Sequence, residues 1–201
     1  MSSTLPSFVL RYHGCDKSVA EAIFSGESEH LLLSQNEYDW LGHGVYFWEN
    51  SPQRALSYVQ QQLSRTARKS KILEPAIVGA VIDLGNCLNL LDAHYSQVIQ
   101  AGFTDLQDSI RSSGGSMPVN RTPPGGNEIL LRALDCAVVN IIHARRKEDK
   151  LQPFDSVRAA FIEGKPIYEG GGFYEKTHIQ VCVRETGKIK GYFRPIPETF
   201  A

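Results

Sequence analysis

Three short segments hold side chains with chemistry to offer: Arg11-Tyr12-His13-Gly14, Gly44-Val45-Tyr46-Phe47 and His178-Ile179-Gln180. Each reads as a strand, or as a strand end beside glycine. An imidazole donates or accepts a hydrogen bond, a phenol offers a flat face for stacking, and a carboxamide orients hydroxyl groups. The middle segment sits in a run dense in aromatics: Tyr38, Trp40, Tyr46, Phe47, Trp48 and Tyr58. Strand alternation sends Tyr46 and Trp48 to one face, Val45 and Phe47 to the other. Two readings stay open for that face. It packs a sheet, as aromatics often do, or it forms a slot for a planar ring, with Gly42 and Gly44 letting backbone approach. A metal site is the weakest reading, because His13 and Cys15 are the one close His/Cys pair and no third ligand follows at a recognisable spacing.

The elements that must position these residues can be read in order. Phe8 to His13 is a first strand, ended by Gly14. Ser18 then caps a helix, with Glu21 completing a capping box and Gly26 as the stop. Residues 27–43 lack periodicity and read as a long loop. Val45 to Trp48 is a strand. Ser51 and Pro52 start a helix that runs to about Arg68. Ala76 to Leu84 is apolar on both faces and reads as a central strand. Residues 92–112 look like two short helices with Asp92 and Thr104 as caps. Ser112 to Gly126 is Gly- and Pro-rich and reads as a mobile loop. Asn127 to Lys147 carries Leu130, Leu131, Leu134, Val138, Ile141 and Ile142 at helical spacing. Strands follow at Ser156–Phe161, His178–Arg184 and Ile189–Phe193. This order is α+β, without regular βαβ alternation.

The totals narrow the classes. A chain of 201 residues is one domain, 1–201, on the simplest count, and a net charge of −1 excludes a chain that is basic throughout. Two local basic clusters remain: Arg65, Arg68, Lys69 and Lys71, and Arg145, Arg146 and Lys147. Each reads as a complement to a helix dipole or as a contact for the phosphates of a large target. Four scattered cysteines with no C-x-x-C pair fit reduced thiols in a cytoplasm better than a disulfide framework. No secretion signal and no membrane span is visible.

Taken as an ordered set, the three segments resemble the ADP-ribosyltransferase superfamily, on the branch of diphtheria toxin and the poly(ADP-ribose) polymerases. The likeness rests on Tyr12-His13-Gly14, on Gly42-His43-Gly44-Val45-Tyr46-Phe47, and on Gln180 leading into Val181-Cys182-Val183. It implies two small packed sheets forming a split cleft, with flanking helices and a helical insert at about 88–150 that the likeness does not cover. It implies NAD as substrate. His13 would hydrogen-bond the adenosine ribose, and Gly14 backbone would hold the nicotinamide carboxamide. Tyr46 would stack on the nicotinamide ring, with Tyr58 as the opposite wall. Gln180 would bond the hydroxyls of the nicotinamide ribose, where many relatives carry a glutamate. Arg11 lies on the face of His13 and so near the cleft; a rival branch uses an arginine on this strand. His178, Phe173 and Tyr174 would meet the acceptor, and Arg158 a phosphate of NAD or of the target.

The implied function is mono-ADP-ribosyl transfer to a nucleic acid or a protein. A compact transferase of this kind resembles intracellular toxins of toxin–antitoxin or phage-defence systems, with an antitoxin as a further partner and no membrane partner. A non-catalytic module that grips NAD or ADP-ribose, and an RNA 2′-phosphotransferase-like enzyme, are the alternatives.

Overall fold

The computed structural model describes residues 8–64 and 72–196. The chain runs β1 (Phe8–Asp16), α1 (Lys17–Ser25), β2 (Val45–Glu49), α2 (Pro52–Ser64), β3 (Pro75–Asp83) and β4 (Cys87–Asn89). A short 3-10 turn (Ala93–Tyr95) leads into α3 (Ser96–Ser113). Then come β5 (Asn120–Arg121), β6 (Leu131–Arg132), α4 (Ala133–Glu148), β7 (Ser156–Phe161), β8 (His178–Val183), a second 3-10 turn (Thr186–Lys188) and β9 (Ile189–Phe193). The α+β class stands.

Two small packed sheets were expected; the strands instead form one seven-stranded sheet in the order β4-β7-β8-β2-β1-β3-β9, with β5 and β6 as a separate ribbon. The reason is β1, which pairs with β3 along its whole length and also with β2. β4 pairs in parallel with β7, and the other named pairs are antiparallel.

Alternation along the strands builds a core on each side. One face gathers Cys15, Val45, Phe47, Val78, Ile82 and Val181 under Ala20 and Ile23 of α1. The opposite face has two cores. Trp48 and Ile77 pack with Ala55 of α2, and Cys182, Val157 and Phe161 pack with Val138 and Ile142 of α4 and Leu106 of α3. They are called the α1 face and the α2 face below.

Several local expectations are revised. Asp16, not Ser18, caps α1: its carboxylate accepts from Ser18 N at 3.0 Å and Ser18 Oγ at 2.7 Å. Glu21 makes no capping box and instead pairs with Arg194 at 2.8 Å. Gly26 does end α1, at φ 79°. Residues 93–113 hold one 3-10 turn and one long helix rather than two short helices, and Thr104 caps nothing, since its hydroxyl bonds back to Gln100 O at 3.2 Å. α4 begins at Ala133, after Leu131 and Arg132 have paired with β5. Its start is capped from afar by Asn120, whose Oδ1 accepts from Leu134 N at 2.9 Å. The stretch 88–150 is therefore no purely helical insert; β4 puts its first residues into the main sheet. The expected helix beyond Ser64, and the cluster Arg65, Arg68, Lys69 and Lys71, lie outside the described residues. No helix among them is long and apolar enough to cross a membrane.

Candidate functional site

β1 and β2 part company in the middle of the sheet. β3 pairs with β1 from Phe8 to Asp16, whereas β2 meets it only at Arg11↔Glu49 and Tyr12↔Trp48. β2 turns instead to β8, pairing Val45–Trp48 with Val183–Gln180. From His13 onward, the edge of β1 that looks toward β2 has no strand partner among the described residues. His13 spans this split: its Nδ1 lies 2.7 Å from Tyr46 O. A carbonyl only accepts, so Nδ1 carries the hydrogen. Burial holds the imidazole pKa below its ordinary value, against the opposing pull of that backbone bond. The ring is therefore neutral near pH 7, with Nε2 as an acceptor. A small cavity of about 260 Å³ opens here, lined by His13, Gly14, Cys15 and Asp16 with Leu31 and Leu32. Gly14 is glycine because α2 presses on it: a Cβ there would stand 2.5 Å from Ala55 O.

The three expected site residues are neighbours in the sheet, but their side chains do not share a direction. Cross-strand partners share a face, and Trp48 opposes both Tyr12 and Gln180 while Tyr46 opposes Cys182. Tyr46, Trp48, His178 and Gln180 thus lie on the α2 face. His13, one residue past Tyr12, lies on the α1 face, with its ring 5.8 Å from that of Phe47. The phenol of Tyr46 is committed within the protein. It donates to Gly42 O at 2.6 Å and accepts from Leu41 N at 2.8 Å, and burial raises its pKa. The facing walls of Tyr46 and Tyr58 do not form. Tyr58 packs on Trp48 instead, 5.0 Å between ring centres, because α2 covers Trp48 rather than Tyr46.

Around Trp48 lies a polar cluster that spacing alone does not reveal. Arg54 sits 6.0 Å over the indole and pairs with Glu163 at 2.6 Å. His178 is buried, not a surface contact, with its ring 6.3 Å from Trp48 and 5.7 Å from Phe161. Its Nδ1 donates to Lys176 O at 2.7 Å, and burial lowers its pKa. Four buried atoms here have no hydrogen-bond partner among the described residues: Trp48 Nε1, Arg54 Nε and Nη1, and His178 Nε2. Each such atom costs about 1–3 kcal/mol unless something pairs it. Donors and one acceptor thus collect beside Gln180, the cross-strand partner of Trp48.

On the α1 face, two residues before His13, Arg11 is buried and joins Glu49 at 2.7 Å. Arg158 grips the same carboxylate with Nε and Nη2, both at 2.6 Å, and reaches Asn89 Oδ1 at 3.1 Å. Hydrogen bonding to Arg158 leads in holding the Glu49 carboxyl below its usual range. Two guanidinium groups on one carboxylate leave one positive charge in excess, and Arg11 Nε has no partner among the described residues. Arg158 is therefore tied inside the sheet and does not project toward a target.

The loop from Tyr168 to Thr177 is bonded back to the residues before it: Ile167 N donates to Phe173 O at 2.9 Å, and Tyr174 bridges Pro166. Phe173 is exposed and Tyr174 half-buried. Arg145 of the second basic cluster pairs with Glu148 at 2.8 Å, and Arg146 covers the ring of Phe154. No group of three potential metal ligands occurs among the described residues.

Arg54, Glu49 and Glu163 escaped the sequence reading. Trp48 was visible as the face-mate of Tyr46. The Arg54–Glu163 and Glu49–Arg158 pairs span 109 positions and leave no local signal.

No family model and no solved structure matches the chain. It is 26% identical to an uncharacterized protein, MJ0359, of Methanocaldococcus jannaschii, over 89% of this chain and 83% of that protein. That likeness extends along most of both chains and carries no activity with it.

Proposed function

We propose that the split between β1 and β2 binds NAD, and that the protein transfers ADP-ribose from it to a macromolecular acceptor. The observation that carries this reading is the tie between His13 Nδ1 and Tyr46 O. It fixes the tautomer, turns Nε2 into an acceptor suited to a ribose hydroxyl, and does so where the backbone edge of Gly14 lacks a strand partner among the described residues. A carboxamide can exchange two hydrogen bonds with such an edge. The excess positive charge of the Arg11–Glu49–Arg158 cluster, on the face of His13, favours a diphosphate through its field, since both guanidinium groups are held by Glu49. For Gln180, on the α2 face, to orient the hydroxyls of the nicotinamide ribose while the bond from C1′ to the pyridinium nitrogen breaks, the dinucleotide must pass through the split from the face of His13. Nicotinamide leaves neutral, and the electron-poor C1′ is taken by a nucleophile of the acceptor, which gives up a proton. Orientation of the ribose is the main contribution available, because Gln180 brings no charge. In this reading Tyr46 positions the Gly42–Gly44 turn and the carbonyl that holds His13, and Tyr58 with Trp48 supplies the aromatic surface.

The deciding experiment incubates the protein with NAD labelled in its adenylate part and a cell extract, then treats separate samples with protease and nuclease. Retained label removed by one treatment identifies the acceptor class. Gln180→Ala should lower transfer about 100-fold, the scale of one lost transition-state contact, and His13→Ala should weaken NAD binding about tenfold, the scale of one lost hydrogen bond. Absence of both NAD binding and nicotinamide release overturns the reading. Binding without release selects the second reading, a module that holds NAD intact, which the missing charge at Gln180 favours.

A further inference from the structure

A second cavity, of about 710 Å³, lies on the α2 face between β7, α3 and α4. In the strand order β7 is separated from β1 by β8 and β2, so this cavity is distinct from the split. Its volume falls in the range of small-molecule pockets, roughly 300–1,000 Å³. Ala159 and Phe161 form the floor, Phe103 and Val138 the helical walls, and Trp40 and Arg132 one end. That end is rigid. Trp40 donates its indole N–H to Leu130 O at 2.8 Å and meets Phe161 edge-on at 4.4 Å. The Arg132 guanidinium lies 4.4 Å from the Trp40 ring centre and 5.7 Å from that of Phe161. Its Nη1 bonds Asp135 at 3.1 Å, and Asp135 is itself held by Asn120 at 2.9 Å. Arg132 Nε is buried and has no partner among the described residues. The Asp135 charge is thus compensated, and the Arg132 guanidinium brings N–H donors to an otherwise apolar, aromatic-lined space. Gln100, exposed on α3, also lines the cavity.

We infer that this cavity is a binding site for a small molecule with a planar aromatic body and one terminal oxygen acceptor, such as an aromatic sulfonate or carboxylate. The body lies against Trp40 and Phe161, and the oxygen accepts from the Arg132 guanidinium. The site does not depend on the reading of the split.

The test titrates the full chain with 8-anilinonaphthalene-1-sulfonate, following probe fluorescence and tryptophan quenching. The expected result is a single saturable site whose signal NAD does not displace. Arg132→Gln should weaken it at least tenfold. Gln100→Trp, at an exposed helix position, should block entry while thermal unfolding stays cooperative. If Arg132→Gln does not fold, Gln100→Trp decides. Non-saturating binding, or unchanged affinity in the folded variants, overturns the inference.

Discussion

At the scale of single residues, what a side chain can do is set by which of its atoms are already used. Tyr46 shows this most plainly, since both the hydrogen and a lone pair of its hydroxyl are spent on Gly42 O and Leu41 N. Tyr46→Phe leaves Leu41 N without that partner and should destabilise the fold by about 1–3 kcal/mol, read as a shift of the urea midpoint. A positioning role for Tyr46 predicts that NAD binding falls only as far as the Gly42–Gly44 turn loosens. Unchanged stability with lost binding would instead make the phenol a direct ligand. Trp48 tests the neighbouring cluster differently: Trp48→Phe keeps a ring on Tyr58 but removes an N–H that has no partner among the described residues, so stability should hold or rise. The alternation of Val45, Tyr46, Phe47 and Trp48 was legible in the chain and is found in the cores. That His13 falls on the other face was not, because it depends on the pairing of Tyr12 with Trp48, a register no local pattern specifies.

At the scale of elements, the split exists because β2 has a better partner than β1. Val45 to Trp48 are all matched to β8, and α2 is wedged against β1 where the two strands diverge. The wedge is tight at Gly14, where an added methyl meets Ala55 O at 2.5 Å and Val59 Cγ1 at 3.1 Å. Gly14→Ala should cost about 1–3 kcal/mol as an overpacked contact, measured by thermal denaturation. A neutral result would show that α2 can move away. The C-terminal end of α1 and the start of α2 were legible: Gly26 takes the left-handed conformation, and Ser51 Oγ accepts from Arg54 N at 3.3 Å behind Pro52. The start of α4 was not, since the group that caps it, Asn120, is 14 positions from Leu134. The edge strand β4 escaped for the same kind of reason. Three residues carry too little periodicity, and they become a strand through their parallel pairing with β7.

At the scale of the molecule, a sheet with helices on both faces takes several titratable groups out of water. Three of them are histidines held below their ordinary pKa, chiefly by burial: His13 at the split, His178 beside Trp48, and His143 on α4, pushed down to about 3. A histidine kept neutral in the fold but free to charge when unfolded lets the unfolded chain bind more protons. Stability from such a group is therefore complete above the unfolded value, near 6.5, and is lost as pH falls from there toward the folded value. Asp16 acts in a lower window. Backbone and hydroxyl donors at Glu74, Ser18 and Leu73 depress its carboxyl, so its contribution persists above the ordinary carboxylate range and fades only in stronger acid. The first loss on acidification thus belongs to the histidines. His143 isolates it: its Nε2 is buried without a partner among the described residues, and its ring lies edge-on to Phe154 at 5.9 Å. A group that stays neutral loses about 1.4 kcal/mol of stability at one pH unit below its unfolded value. His143→Phe should leave the urea midpoint near neutral pH almost unchanged and remove about that much of the drop between pH 7.5 and 5.5. A wild-type midpoint that does not fall across this interval, or a variant that falls as steeply, would mean that the imidazole takes up its proton inside the fold.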